Sequence, residues 1–554
     1  MSALWTWLIR GGTIARCGAL WFFSQNPLRL CSESLLAGLP DREGGPGERS
    51  LARLLVLLSL APILSLPLAA CAPATPVVVE KEVIREVPVD REVVVEKEVI
   101  KEVPVEKLRV VEKKVEVIVT ATPTPEKSYE LVWMCRTSPR ENKWEREVVK
   151  PNFEARFPRI KLKILILDQD DIAVKREAMM TAGESLHVWS PNWGSDGFAS
   201  DYHRGLIEDL TPLIRRDNFD LGDFIPEMLA IYRLEGKQWA IPLTSWGSYL
   251  YYNKKLFDEA GVEYPPTDWD DTSWTWDAMV EKAKELTMHY GDLTEAQYGV
   301  IYRPWDGGGM EMIGLIWGKD VWPIEVFETG FATEIYAEYP AVIKGHQAIH
   351  DLIYRERVMP DASLDAALWS LGGAFQSGRT AMEIMDGRGY WEYVDLMEEF
   401  CWGVAAVPYG KPTWKGPRAT IYTDAWVIAA GLPQEEREIA WTFIKYLASI
   451  EASRAYMEAT GAPPVRRSLL LEYFKQYQPC MRPEEAQESF MGAYKYGRES
   501  SSHIMVRWDE IAQECSNSLD AFWVSPQMSA EEAMEELDAN VEETLQRIKA
   551  EEEK

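Results

Sequence analysis

Tryptophans set beside small and acidic residues are the chemistry-bearing feature of this chain. The sequence holds 23 Trp among 554 residues, and five of them stand next to Gly, Asp or Ser in segments that read as loops: Trp193, Trp246, Trp305, Trp391 and Trp426. Asp196, Tyr249, Asp386, Arg388 and Asp424 are the polar candidates near them, and Trp508 is a further aromatic candidate in the last helical part. An indole ring offers a flat apolar face, while carboxylates and a guanidinium fork accept and donate in fixed directions. That combination suits a pyranose, which has apolar C–H faces and a hydroxyl rim. Core packing competes with it. Trp144, Trp276, Trp402 and Trp441 lie in apolar helical or strand patterns and are assigned to the interior. Any one of the carboxylates equally suits a loop or helix cap.

Catalytic signatures are absent from the sequence. No Gly-x-Ser-x-Gly, His-Glu-x-x-His, phosphate loop or dinucleotide fingerprint occurs. His346 and His350 share one face of a predicted helix but lack a third ligand nearby, so they read as an ordinary exposed face, and neither metal nor cofactor is expected. A glycosidase needs only two suitably spaced carboxylates, and 88 acidic residues leave room for such a pair. Hydrolysis of carbohydrate is therefore the alternative from another class, with a surface ligand sensor or scaffold as the third.

The N-terminal part bears on where this chemistry takes place. An apolar run from Leu54 to Leu68 comes after Arg49 and Arg53 and ends in Leu68-Ala69-Ala70-Cys71. A basic region, a short apolar region and small residues before a cleavage point make a secretion signal, and Pro62 and Pro67 interrupt it as a membrane span. The cysteine after the small residues resembles the lipobox of bacterial lipoproteins, which implies lipidation at Cys71 and an extracytoplasmic protein anchored to the cell membrane. Residues 1–70 are thus an N-terminal extension plus signal peptide, of which 1–48 read as a misassigned start. Residues 71–127 form a low-complexity tether: Val79-Glu80-Lys81-Glu82-Val83-Ile84-Arg85-Glu86-Val87-Pro88-Val89 recurs as Val95-Glu96-Lys97-Glu98-Val99-Ile100-Lys101-Glu102-Val103-Pro104-Val105. Alternating charge and interrupting prolines keep it solvated and without a core.

The remainder of the chain, from residue 128 to its end, is long enough for two lobes. A net charge of -29 opposes nucleic acid as a partner. Strand signals at Tyr129–Met134, Ile160–Leu167 and Leu186–Trp189 alternate with helical patterns at Lys143–Phe157 and Asp170–Ala182, which predicts an α/β fold with a parallel sheet. Ligands bind such sheets beyond the carboxyl ends of the strands, and Trp193 lies in the loop after the third. Cys135, Cys401, Cys480 and Cys515 permit one or two disulfides without requiring any.

From Gly205 onward the chain resembles a known family. Leu250-Tyr251-Tyr252-Asn253-Lys254-Lys255-Leu256-Phe257, Trp274-Thr275-Trp276-Asp277, Phe375-Gln376-Ser377-Gly378-Arg379 before Gly389-Tyr390-Trp391, Gly403-Val404-Ala405-Ala406-Val407-Pro408, Asp424-Ala425-Trp426-Val427 and Gly461-Ala462-Pro463-Pro464 occur in the order found in extracellular solute-binding proteins of ABC importers, family 1, the maltose-binding-like proteins. The resemblance implies two doubly wound α/β lobes joined by hinge segments around a ligand cleft. Lobe 1 is expected at 128–242 and 410–462, lobe 2 at 243–409 and 463–554, with crossings near Pro242–Ser245, near Pro408–Pro412 and after Gly461. It also implies a non-enzymatic, monomeric receptor that captures a carbohydrate and delivers it to an ABC permease. Thr423-Asp424-Ala425 replaces the paired glycines common in the family before Trp426, which makes that cleft wall bulkier and more polar.

Overall fold

An apolar run, Leu131 to Cys135, is buried along its whole length, as a strand covered on both faces must be. In the computed structural model, which describes residues 127–552 apart from 192–196, 305–308 and 371, this run is the middle of the strand Tyr129–Arg136. It pairs in parallel with Ile160–Leu167, from Tyr129 opposite Ile160 to Arg136 opposite Leu167, and on its other side with Val188–Trp189. The later strand Ala425–Ile428 adds antiparallel to Val188–Trp189 and in turn pairs with Ile241–Pro242, completing a five-stranded sheet. Helix Gln434–Leu447 covers it, with the Phe443 ring edge-on to Trp133 at 5.0 Å. Trp144 and Trp441 are buried in this lobe, as their patterns predict.

The helix predicted over Lys143–Phe157 is broken into Pro139–Trp144, a π-turn at Glu145–Val149, and Lys150–Arg156. Pro151 has no N–H to continue an α-helical ladder, and the Lys150 N–H bonds back to the Glu145 carbonyl, widening the turn.

The second lobe is built on a four-stranded sheet in the order Trp402–Ala405, Tyr249–Asn253, Met382–Met385, Ile301–Tyr302. Asn253 ends its strand and caps the next helix, Lys254–Ala260, by accepting from the Lys255 and Leu256 amides at 3.0 and 3.4 Å. Thr275 does the same for Trp276–Leu286. Trp276 and Trp402 are interior residues here. Two long C-terminal helices, Trp508–Val524 and Ala530–Glu552, pack with helix Pro340–Tyr354. His346 and His350 face them rather than solvent. Nδ1 of His346 lies 2.9 Å from the Val342 carbonyl, its ring stacks on Trp523, and Nε2 of His350 lies 2.9 Å from the Ser525 carbonyl. The exposed face expected there is a packing face, because the C-terminal helices supply an apolar surface that local sequence cannot reveal.

Between the lobes lies a three-stranded sheet of Gly497–Glu499, Ala419–Tyr422 and Trp246–Gly247. The first passage runs through 242–246. The second falls later in the chain than expected. Residues 410–418 stay with the second lobe, since the Gly410 amide donates to Ile316 at 3.1 Å and Arg418 donates to the Trp269 carbonyl at 2.6 Å, so the return passage is 419–425. Residues 463–468 still bond to first-lobe residues: Ile225 N–H to Val465, Arg467 N–H to Asp223, and Arg466 to the Ala448 carbonyl.

Cys401 and Cys480 form a disulfide that ties the start of an edge strand to a segment 79 residues further on. A closed loop of that length restricts the unfolded chain, so Cys401→Ser with Cys480→Ser should lose up to about 4 kcal/mol of stability in urea unfolding. Reductant should bring the parent protein down to the variant and leave the variant unchanged.

Candidate ligand-binding site

Arg136 ends the first strand at the carboxyl edge of its sheet. Its guanidinium grips Glu141 through two bonds of 2.8 and 2.9 Å and lies 3.8 Å from Asp424, at the start of the returning strand. Tyr456 donates its hydroxyl to Glu141 at 2.7 Å. Burial alone would raise the Glu141 carboxyl, but the Arg136 charge together with the hydrogen bonds from Arg136, Tyr456 and Ser138 outweighs it and holds it below its ordinary value. Burial likewise opposes the Arg136 charge, and Asp424 and Glu141 together push its pKa up. The result is a fixed cation and two carboxylates on the first-lobe wall.

Facing aromatic groups come from the central sheet. Trp246 and Tyr422, paired across neighbouring strands, stack nearly parallel at 15° with ring centroids 5.9 Å apart. The turn Asp386-Gly387-Arg388 packs against Trp246: a Cβ at Gly387 would stand 2.8 Å from a carbon of its ring, so a larger residue would push the turn away. Asp386 receives the Arg388 backbone N–H at 3.0 Å, and the Arg388 Nε contacts both Asp386 oxygens at 3.0 Å. Arg388 remains exposed.

On the far side of Tyr422 stands His503, its ring centroid 5.8 Å away, with Tyr232 of the first lobe stacked on it at 6.3 Å. The short helix Ser501–Ile504 that carries His503 fits between two helix starts. Gly197 opens helix Gly197–His203, and a Cβ there would stand 2.6 Å from the Ser502 carbonyl oxygen. Glu311, in helix Gly309–Trp317, accepts the Ser501 amide at 3.1 Å and the Arg498 guanidinium at 2.7 Å. These two helices begin directly after 192–196 and 305–308, so the 498–503 segment sits where the predicted binding loops end.

The structure therefore brings together Trp246 with Asp386 and Arg388, and Asp424 with Arg136. Trp391 lies on the short helix Arg388–Glu392 directly after them. Three candidates are corrected. Tyr249 is fully buried, its ring parallel to Phe490 at 5.6 Å and its hydroxyl donating to the Phe490 carbonyl at 3.4 Å, because its strand face points into the second lobe. Trp426 is buried edge-on against Trp133 at 5.3 Å in the first-lobe core. Trp508 is buried with its ring edge against Trp322 at 6.0 Å. Trp193, Asp196, Trp305 and Cys71 lie outside the described residues. Arg136, Tyr422 and His503 were not anticipated. Arg136 carried a usable signal, as the first charged residue after a wholly apolar run; His503 carried none, since only tertiary packing brings it in.

A groove of about 800 Å³ lies elsewhere on the second lobe, between helices Trp276–Leu286 and Pro340–Tyr354, and is lined by none of these groups.

Burial pushes the His503 imidazole down to about 3. The unfolded chain takes up this proton near pH 6.5 while the folded protein refuses it, so the stability contributed by neutral His503 is complete above pH 6.5 and lost as pH falls toward 3. His503→Gln should flatten the acid limb of the stability-versus-pH curve by about one proton between pH 6 and 4, measured by urea unfolding. An unchanged slope would contradict the assignment.

Comparison with known proteins points the same way. Residues 150–479 match the family described as bacterial extracellular solute-binding protein. A putative binding protein of Brucella abortus is 24% identical over 387 residues, covering 68% of this chain and 84% of its own. A mannitol-binding protein of Pseudomonas aeruginosa is 24% identical over 259 residues, 43% of this chain and 55% of its own. Among solved structures, an ABC substrate-binding protein of Listeria monocytogenes in complex with cycloalternan superposes with a TM-score of 0.60 at 18% identity, covering 76% of this chain and 100% of that one. The sugar-binding protein MalE of Xanthomonas citri gives 0.59 at 17% identity, covering 77% and 99%. The shared fold is the two-lobed binding-protein architecture.

Proposed function

Because the chain belongs to the bacterial extracellular solute-binding proteins, we propose that it captures a carbohydrate outside the membrane and delivers it to an ABC permease. The observation that carries this reading is the partly exposed Tyr422 ring, backed by the buried Trp246 indole, beside Asp386, Arg388, Arg136 and Asp424 at the passage between the lobes. Tyr422 keeps part of its surface exposed, as a ring that receives a sugar face must. The relatives with cycloalternan and with mannitol in their names support a polyhydroxylated ligand.

In this mechanism the ligand first stacks on the Tyr422 ring of the open cleft. Rotation about the three passages then brings the first-lobe groups Arg136 and Asp424 onto its hydroxyls. The ligand favours the closed form because only that form makes both sets of contacts. The permease reads closure, so that occupied receptors dock productively. Trp193, Asp196, Trp305 and Trp391 are proposed to complete the ring and hydroxyl contacts. Cys71 is proposed as the lipidated residue, with 71–127 as the tether that lets a monomeric receptor reach its permease; no helix among the described residues is long and apolar enough to cross a membrane. No catalytic step is assigned.

The test is calorimetry of the purified full-length protein against mono-, di- and oligosaccharides and polyols, with each mixture analysed for products after long incubation. Saturable one-to-one binding with the ligand recovered intact is expected. Cleaved ligand would replace the receptor with a hydrolase, and failure of every sugar and polyol to bind would exclude carbohydrate as the solute.

A further inference from the structure

Helix Gly197–His203 of the first lobe turns two faces to two different partners. Phe198 and Asp201, three residues apart, face their own lobe. The Phe198 ring stands edge-on to Tyr232 at 5.0 Å, and the buried Asp201 carboxylate pairs with Arg176 at 2.8 Å and accepts the Trp189 indole N–H at 2.8 Å. Gly197, Ser200 and His203 repeat the same spacing on the neighbouring face, and each of them meets the second lobe.

The contacts follow one another along the helix. Gly197 lies against the Ser502 carbonyl, which a Cβ would approach to 2.6 Å. The Ser200 hydroxyl accepts the Arg507 N–H at 3.3 Å, and Ser200 is 0% exposed although it faces away from its own core. The His203 imidazole lies on Gly330, where a Cβ would stand 2.7 Å from Nε2, and its ring centroid is 5.0 Å from that of Phe331. Directly after the helix, Arg204 reaches Glu552 of the last helix at 3.6 Å.

Each side of this seam is anchored in its own lobe. The Asp201 network fixes the helix in the first. Segment 501–507 is tied to the second by the Ser501 N–H to Glu311 at 3.1 Å and by the Val506 N–H to the Gly330 carbonyl at 2.9 Å. What crosses the seam is weaker: an amide-to-hydroxyl bond, an ion pair partly open to solvent, and close packing at two glycines. Such contacts part without breaking a strand or stranding a buried charge. At a separate place Arg140 of the first lobe lies 3.4 Å from Asp395 of the second, with both side chains exposed.

We propose that the seam between helix Gly197–His203 and segment 501–507 is a latch, assembled when the lobes close and parted when they open, so that retention of the solute is also set by residues that never touch it. It rests on the two-lobed architecture and not on the chemistry of the solute. The helix travels with the first lobe and the segment with the second, and the small residues at 197, 200 and 330 let the two surfaces meet. Latch contacts and solute contacts add in the closed form, so a weakened latch raises the open fraction for every solute alike.

The experiment uses the full-length protein with Ser200→Cys and Arg507→Cys, and separately with His203→Cys and Gly330→Cys, each pair bridged by a short bis-thiosulfonate reagent and the four single variants treated alike. No solute is added, and the radius of gyration is read by small-angle X-ray scattering before and after reductant. Bridged pairs should show a smaller radius that returns to the parent value on reduction, while the single variants stay at the parent value throughout. Bridging that leaves the radius unchanged would overturn the latch, since the seam would then persist whether or not the lobes move. Failure of both pairs to bridge would overturn it as well, because the two surfaces would not meet in solution. Neither result depends on whether a carbohydrate binds.

Discussion

The constraint on which the molecule depends is the set of hydrogen bonds that ties its three passages between lobes to one another. The Thr423 hydroxyl donates to the Thr244 carbonyl at 2.5 Å, and the Asp424 N–H donates to the Thr244 hydroxyl at 3.1 Å. The Leu243 N–H reaches the Asp424 carbonyl at 2.7 Å, while Ser245 donates through its N–H to Pro463 at 3.2 Å and through its hydroxyl to Pro464 at 2.8 Å. These strands are short and their lacing is made by backbone amides and small hydroxyl side chains, each bond contributing a net ~1 kcal/mol. That is enough to fix an axis and too little to freeze rotation about it. Because Asp424 belongs to this lacing and also faces Arg136, a change at the axis is felt at the wall of the site, and the reverse.

Buried charge sharpens the two walls. Arg136 with Glu141 on one side, and Arg498 with Glu311 and Asp320 on the other, are ion pairs in which at least one partner is nearly inaccessible. Pairs of this kind contribute little net stability but strongly penalise any arrangement that separates them, so they set geometry rather than affinity. Glu145, in the π-turn behind Arg136, is the exception. Burial pushes it up to about 7, leaving it about half protonated near neutrality in a place where its charge would have no cation of its own. Hydroxyl-rich ligands suit walls of this type, because committed charges offer fixed directions while their fields are already largely neutralised.

Much of the fold was legible because burial leaves a pattern. The apolar run from Tyr129 had to be a covered strand, and the alternation of strands and helices pointed to the parallel pairing of the first three strands, while the antiparallel strands that complete both sheets come from later in the chain. The site was legible in part. Asp386, Arg388 and Asp424, the residues proposed for it, stood out by residue type and loop context, whereas Trp246, Tyr249, Trp426 and Trp508 carried the same signals and are buried. The difference lies in which face of a strand or helix turns inward, which a one-residue shift reverses. The late return passage at 419–425 and the wedge carrying His503 depend on contacts across hundreds of residues, such as Gly197 against Ser502, and local pattern holds no trace of them. The Cys401–Cys480 bridge was compatible with the sequence and not required by it.

The central claim is that ligand occupancy rotates one lobe onto the other about the laced passages. Small-angle X-ray scattering of the full-length protein, titrated with a sugar that binds it by calorimetry, tests this most directly. The account predicts a saturable fall in radius of gyration that tracks occupancy. A radius that stays constant while the site fills would contradict it, and would mean that the lobes present a fixed site in which closure plays no part.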